Sequence, residues 1–343
     1  MLKRPPGSLT RREFWPLAAG MFSLAVGCSR RRASLASSPK TVSTAETHTI
    51  THALGTAQVP KTPQRIVALT GISELEALLV LGVKPLAAAG DDRNFGRTAW
   101  HSHLKDQMQG VEMLPSRRNI NLEKISTLRP DLLIGTAVPI EAAYSQLSQI
   151  APTVALDWRQ PWQGNFRLIA EIVGQSEQAE TWLADFEQRV MTLAAAYQEA
   201  LVGTTYTTTF YNSRQRGFHM IAGHGIDQVF QQIGLTRPPE QTQINSVAED
   251  GLIRAEISLE RLDLIDTDVL FFYHYDYPTI QKASERPELN RFLEREPLLR
   301  RLRAVEADRV FVVPAQYWFL GRAMGIPMAL DDLETAVLPL ITQ

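Results

Sequence analysis

The chain has 343 residues, a formal charge of −2 and an apolar fraction of 44%, which is enough for a sizeable core and too acidic to suggest a nucleic-acid partner. Its single cysteine excludes an internal disulfide, so the folded part must rest on packing.

Residues 1–27 read as a signal peptide. Thr10-Arg11-Arg12-Glu13-Phe14 fits a twin-arginine pattern, and Pro16 to Gly27 form an apolar stretch too short to span a bilayer. Both the twin-arginine and the general export route accommodate such a segment. Cys28 follows directly, and Leu24-Ala25-Val26-Gly27 before it loosely matches a lipoprotein signal. Acylation of Cys28 is therefore expected, with an ordinary cleaved signal as the alternative. Residues 28–47, rich in Ser, Thr and Ala without an apolar period, read as a flexible tether to a membrane.

A strand is expected at 49–54, ahead of Pro60 and Pro63, and a second in the run Arg65 to Leu69. Ile72 to Leu81 has helical spacing and stops at Gly82. Short strands follow at 85–89, 132–136 and 153–157, with a helix at 140–149. This alternation predicts a small α/β lobe with a mostly parallel sheet over residues 48–175. Residues 176–202 carry the clearest helix, with Ala179, Trp182, Leu183, Phe186, Val190, Leu193, Ala194 and Tyr197 at steps of three and four. It is read as a strut between lobes. Residues 203–343 repeat the alternation, with strands at 205–211, 268–273 and 309–313, a helix at 226–233 and a final helix over 322–340.

Residues 121–135, NLEKISTLRPDLLIG, return in pattern as 258–272, SLERLDLIDTDVLFF. Each copy opens on an N-cap residue, Asn121 or Ser258, and passes through an Asp, Asp131 or Asp268, into an apolar strand run. A repeat about half the exported chain apart predicts two similar lobes. It also sets Glu123 and Glu260 in matching places, as two carboxylates able to register on a two-fold partner.

These residues resemble the cobalamin and ferric-siderophore group of solute-binding proteins of ABC importers. PKTPQRIVAL at 60–69, LEALLVLGVKP at 75–85, YSQLSQIAPTV at 144–154 and RVFVVPAQYWFLG at 309–321 carry the resemblance together with the repeat. It implies an α/β fold of two lobes joined by one long interdomain helix, a ligand cleft between them and little closure. It also implies that Glu123 and Glu260 dock on arginines of the permease dimer. The nearest branch is the ferric-hydroxamate binders, whose ligand arginine and stacking aromatic match Arg117 and Trp318. Leu252 stands where that branch has a second-lobe tryptophan, and no counterpart of its first-lobe tyrosine is found near Val138 and Pro139.

Ligands of α/β lobes sit at loops after strands, which adds Arg93, Arg97, Arg118, Trp158, Tyr211, Arg214, Arg216, Tyr273 and Arg322 as candidates. So many arginines suit an anionic chelate such as ferric citrate. His101 and His103 lack partners for a metal site, Tyr273, Tyr275 and Tyr277 read better as a strand end than as iron ligands, and no nucleophile elbow, Walker loop or dinucleotide fingerprint occurs. The expectation is a non-enzymatic, monomeric, extracytoplasmic or periplasmic lipoprotein without cofactor. It would capture a ferric siderophore of hydroxamate or carboxylate type for an inner-membrane ABC importer. Cobalamin or haem as ligand, or a two-lobed sensor or adhesion role, are the alternatives.

Overall fold

Runs of buried β-formers, broken by short helices, build two sheets in the computed structural model of the protein. It describes residues 46–90, 102–115, 120–157, 159–212, 217–223, 225–242, 253–275, 279–319 and 321–342. Strands β1 (Thr47–His52) and β2 (Gly55–Pro60) form an antiparallel hairpin where one strand is expected. Gly55 at φ 137° supplies a turn that a β-carbon would strain.

In the first lobe β3 (Ile66–Ala68), β4 (Ala87–Ala89), β5 (Glu112–Leu114), β6 (Leu132–Thr136) and β7 (Thr153–Leu156) lie in the order β5-β4-β3-β6-β7, with every pairing parallel. The residues of β3, β4, β6 and β7 are almost all buried, as strands covered on both faces require, while the edge strand β5 buries only Leu114. The helix Ile72–Val80 follows β3, and Gly82, at φ 73°, closes it in the left-handed region.

The second lobe holds β8 (Tyr206–Asn212), β9 (Gly217–Ala222), β10 (Ile253–Ser258), β11 (Val269–His274), β12 (Gln281–Lys282) and β13 (Val310–Pro314). Their order is β10-β9-β8-β11-β13-β12. The centre, β8-β11-β13, is parallel, while β9, β10 and β12 add antiparallel edges. Of these, β9, β10 and β12 are not among the expected strands.

Ser176–Leu201 is one unbroken helix between the sheets. Ala179, Leu183, Val190, Leu193 and Leu201 form its buried stripe, with Trp182, Phe186, Ala194 and Tyr197 packed beside it. Near its start Gln178 reaches the carbonyl of Val80 in the first lobe; further on, Arg189 bonds Asp331 and Glu334 of the second at 2.7 Å each. Residues from both lobes and from this helix share one core. The expected final helix is divided into Gly325–Asp332, a π-helical turn Leu333–Val337 and Leu338–Ile341. Pro339 has no N–H to donate, and the wider turn before it absorbs the lost bond.

Candidate functional site

Parallel strands place their carboxyl ends together, and ligands of α/β lobes bind there. Arg93 follows β4, Arg117 and Arg118 follow β5, Trp158 follows β7 and Arg214 follows β8 in the chain, so each comes directly after the carboxyl end of a sheet strand. These five residues lie outside the described part, as do Arg97, Arg216, Leu252, Tyr277 and Cys28. Arg322, Tyr211, Tyr273, Trp318, Glu123 and Glu260 are described.

Trp318, expected to stack on a ligand, is buried in the core. It ends the turn Ala315–Trp318 that folds back from β13, and it is 1% exposed. Its ring lies 5.4 Å from Phe271 and 6.1 Å from Phe230, and its indole N–H donates to Asp332 Oδ2 at 2.7 Å. The apolar strand VFVVP leads the indole into the core, where its faces are covered and its one donor is satisfied. Tyr273, also a ligand candidate from its place after a strand, is enclosed as well. It is buried between Phe210 and Phe319, at 5.1 and 5.3 Å, and burial pushes its phenol well above its usual range.

Tyr211 is half-buried and packs on Phe292 and Phe218, at 4.1 and 5.6 Å, in a separate core on the other face of the second sheet. Side chains alternate along β8, so its neighbour Phe210 takes the face shared with the first lobe. Phe210 stacks on half-buried Tyr275 at 5.5 Å and 17°. Phe210 is absent from the sequence candidates, because a strand with adjacent aromatics does not reveal which one faces which core.

Two glutamates on the helix Ile72–Val80 are fully buried, and sequence reading passed over both. The Oε1 of Glu74 accepts the N–H of Thr70, the N–H of Gly71 and the Thr70 hydroxyl at 2.7–2.8 Å, while its Oε2 is buried without a partner. Burial dominates and raises its carboxyl above the usual range. Glu76 is the opposite case. Burial again works to raise it, but hydrogen bonds and charge from His103, with the backbone N–H groups of Gly325 and Arg322, outweigh that and hold it low.

Glu76 also joins the lobes. Its Oε1 faces His103 Nε2 at 2.8 Å, and its Oε2 accepts the backbone N–H groups of Arg322, Met324 and Gly325 at 2.5, 3.0 and 3.0 Å. Arg322, half-buried, therefore stands where the lobes meet, with its guanidinium donating to the Gly321 carbonyl at 2.7 Å. The signal for Glu76 lies in its spacing: it falls four residues after Ile72 and three before Leu79, inside the apolar stripe.

Glu123 and Glu260 are both exposed, each in the first helical turn of its copy of the repeat. The copies differ locally. Asn121 caps its helix by accepting the Lys124 N–H at 2.9 Å, whereas the Ser258 side chain makes no cap bond and its turn is 3-10, kinked at Arg261. Among the described residues no group of three or more His, Cys, Asp or Glu is placed to hold a metal ion.

The sequence model of the periplasmic binding protein family matches residues 67–317, which takes in both sheets. The probable siderophore-binding lipoprotein YfiY of Bacillus subtilis is 33% identical over 88% of this chain and 91% of its own length. The Fe(3+) dicitrate-binding periplasmic protein FecB of Escherichia coli is 29% identical over 79% of this chain and 83% of its own length. Among solved structures, Staphylococcus aureus SirA complexed with staphyloferrin B superposes with a TM-score of 0.68 at 24% identity, covering 83% of this chain and 97% of SirA.

Proposed function

The chain belongs to the periplasmic binding protein family, and on that premise we propose that it captures a ferric siderophore or ferric citrate outside the cytoplasm and hands it to an ABC importer. The observation that carries this reading is the reach of the match to YfiY. At 33% identity over 88% of the chain it spans both lobes and the segments after their strands, where a ligand would sit.

Within that class we favour an anionic, carboxylate-type chelate over a neutral hydroxamate. Arg93, Arg117, Arg118 and Arg214 follow carboxyl ends of sheet strands in the chain, Arg322 stands where the lobes meet, and forked guanidinium contacts suit carboxylate oxygens. Relatives named for ferric citrate or ferric dicitrate support the same choice. The aromatic platform that a hydroxamate reading assigns to Trp318 is occupied by the core.

Delivery follows from the paired carboxylates. Exposed Glu123 and Glu260, one on each lobe, would register on basic groups of a two-fold permease. Residues 1–27 would direct export, and acylation of Cys28 would tether a monomer to the membrane, as the lipoprotein names of two Bacillus subtilis relatives support.

Tryptophan fluorescence tests the reading. The purified protein is titrated with ferric citrate, carboxylate and hydroxamate ferric siderophores, cobalamin, haem and the iron-free chelators. Saturable, iron-dependent change with a carboxylate-type chelate is expected, weakened by Arg322→Ala. A response to cobalamin or haem alone would move the substrate, and no response to any ligand would favour a sensor or adhesion role.

A further inference from the structure

The helix Gly325–Asp332 of the second lobe meets the first lobe end-on. Its first turn offers N–H groups without intrahelical partners, and the carboxylate that takes them comes from Glu76, across the lobe boundary. The approach is close. A β-carbon on Gly325 would lie 3.1 Å from Glu76 Oε1 and 3.0 Å from the Tyr317 carbonyl oxygen, so glycine leaves the room that the contact uses.

His103 holds the other carboxylate oxygen at 2.8 Å, and both side chains are almost wholly excluded from solvent. The His103 ring meets the edge of Tyr317 at 5.8 Å, and the Tyr317 hydroxyl donates to Asp332 at the far end of the same helix, at 2.7 Å. Glu76 thus takes the N–H groups at the start of this helix, and His103 packs on the tyrosine that bonds its far end. The turn that carries Arg322 leads into the same helix.

We infer that Glu76 is a positioning residue that fixes the angle between the lobes and, through the turn 322–325, the place of Arg322 at their junction. A carboxylate suits the task because one oxygen accepts three N–H donors while the second meets the imidazole, which no neutral side chain of the same size matches. The inference deepens the ligand reading of Arg322 and rests on it only for the meaning of that arginine.

The test needs no ligand. In full-length protein carrying Cys28→Ser, spin labels are attached at Ser126→Cys on the first lobe and Arg301→Cys on the second, both exposed positions. The interlobe distance distribution and amide exchange at 322, 324 and 325 are then measured for the parent, Glu76→Gln and Glu76→Ala. The parent should give one narrow distribution. Glu76→Ala should broaden it and speed exchange at these amides by about tenfold or more, the change expected when a buried charge-assisted acceptor is lost. Glu76→Gln, which keeps an acceptor oxygen, should fall between. Unchanged distances and exchange in Glu76→Ala would overturn the inference. If that variant does not fold, exchange in Glu76→Gln decides, with parent-like protection as the contrary result.

Discussion

Asp131 and Asp268 perform the same task in the two lobes. Asp131 accepts the N–H groups of Gln64 and Arg65 at 2.7 and 2.8 Å, just before β3; Asp268 accepts the Thr205 N–H at 2.7 Å, just before β8. Each aspartate precedes a central strand, β6 or β11, and ties down the start of the parallel strand beside it. Asp268 also receives the Arg303 guanidinium at 2.7 Å. Burial works to raise its carboxyl, but the Thr205 hydrogen bonds and the Arg303 charge prevail and hold it below the usual carboxylate range.

A carboxyl lowered on folding contributes stability that is present above its unfolded value and lost as pH falls through its folded value. Asp268→Asn should therefore lower stability near neutral pH and flatten the acid side of the stability curve below about pH 4. Denaturant midpoints measured between pH 3 and 7 check this; parallel curves for variant and parent would contradict it.

Glu74 carries the reverse sign. Its carboxyl is raised by burial, so its contribution is full below the unfolded value and declines as pH rises through the folded one. Glu74→Gln keeps an oxygen for Thr70 and Gly71 and removes the charge. Its melting temperature relative to the parent should rise as pH is raised from below the unfolded carboxyl value to neutral. A constant difference across that range would show that Glu74 does not titrate there.

The burial of Trp318 separates a core role from a ligand role. Trp318→Ala should cost about 3–5 kcal/mol of stability, the range for deleting a large aromatic from a core. Arg322→Ala should cost far less stability and act mainly on ligand affinity. Urea denaturation of both variants gives the comparison, and a Trp318→Ala protein as stable as the parent would contradict the core role.

The same repeat that supplies the two aspartates presents Glu123 and Glu260. Reversing both, with Glu123→Lys and Glu260→Lys, should leave chelate affinity unchanged in the isolated protein and abolish most iron uptake in cells. Each single reversal should have a smaller effect, because exposed ion pairs are individually weak. Uptake and titration run in parallel distinguish delivery from capture; full uptake by the double variant would sink the docking role.

Much of this architecture is legible in the chain. Ser176–Leu201 could be bounded correctly because its apolar positions keep helical spacing over more than seven turns, and Gly203 follows. The paired aspartates are visible as a repeat, though not what they bind. Less legible are features that need tertiary contacts. Gly217–Ala222 and Ile253–Ser258 pair with one another at a sheet edge, which neither segment announces. Tyr211 and Phe210 pack in different cores because adjacent residues on a strand point to opposite faces. Glu76 sits in the apolar stripe of its helix, but its use depends on a helix from the other lobe that the local sequence does not show. The candidate ligand arginines are marked in sequence by one property, their position after expected strands.

Native mass spectrometry of the purified protein, mixed with an equimolar set of ferric citrate, ferric carboxylate, hydroxamate and catecholate siderophores, cobalamin and haem, tests the central claim most directly. The account predicts one dominant adduct whose mass contains iron together with a carboxylate-type chelator, lost when iron is left out. An adduct of cobalamin or haem, or a protein that passes through the whole set unliganded, would contradict it.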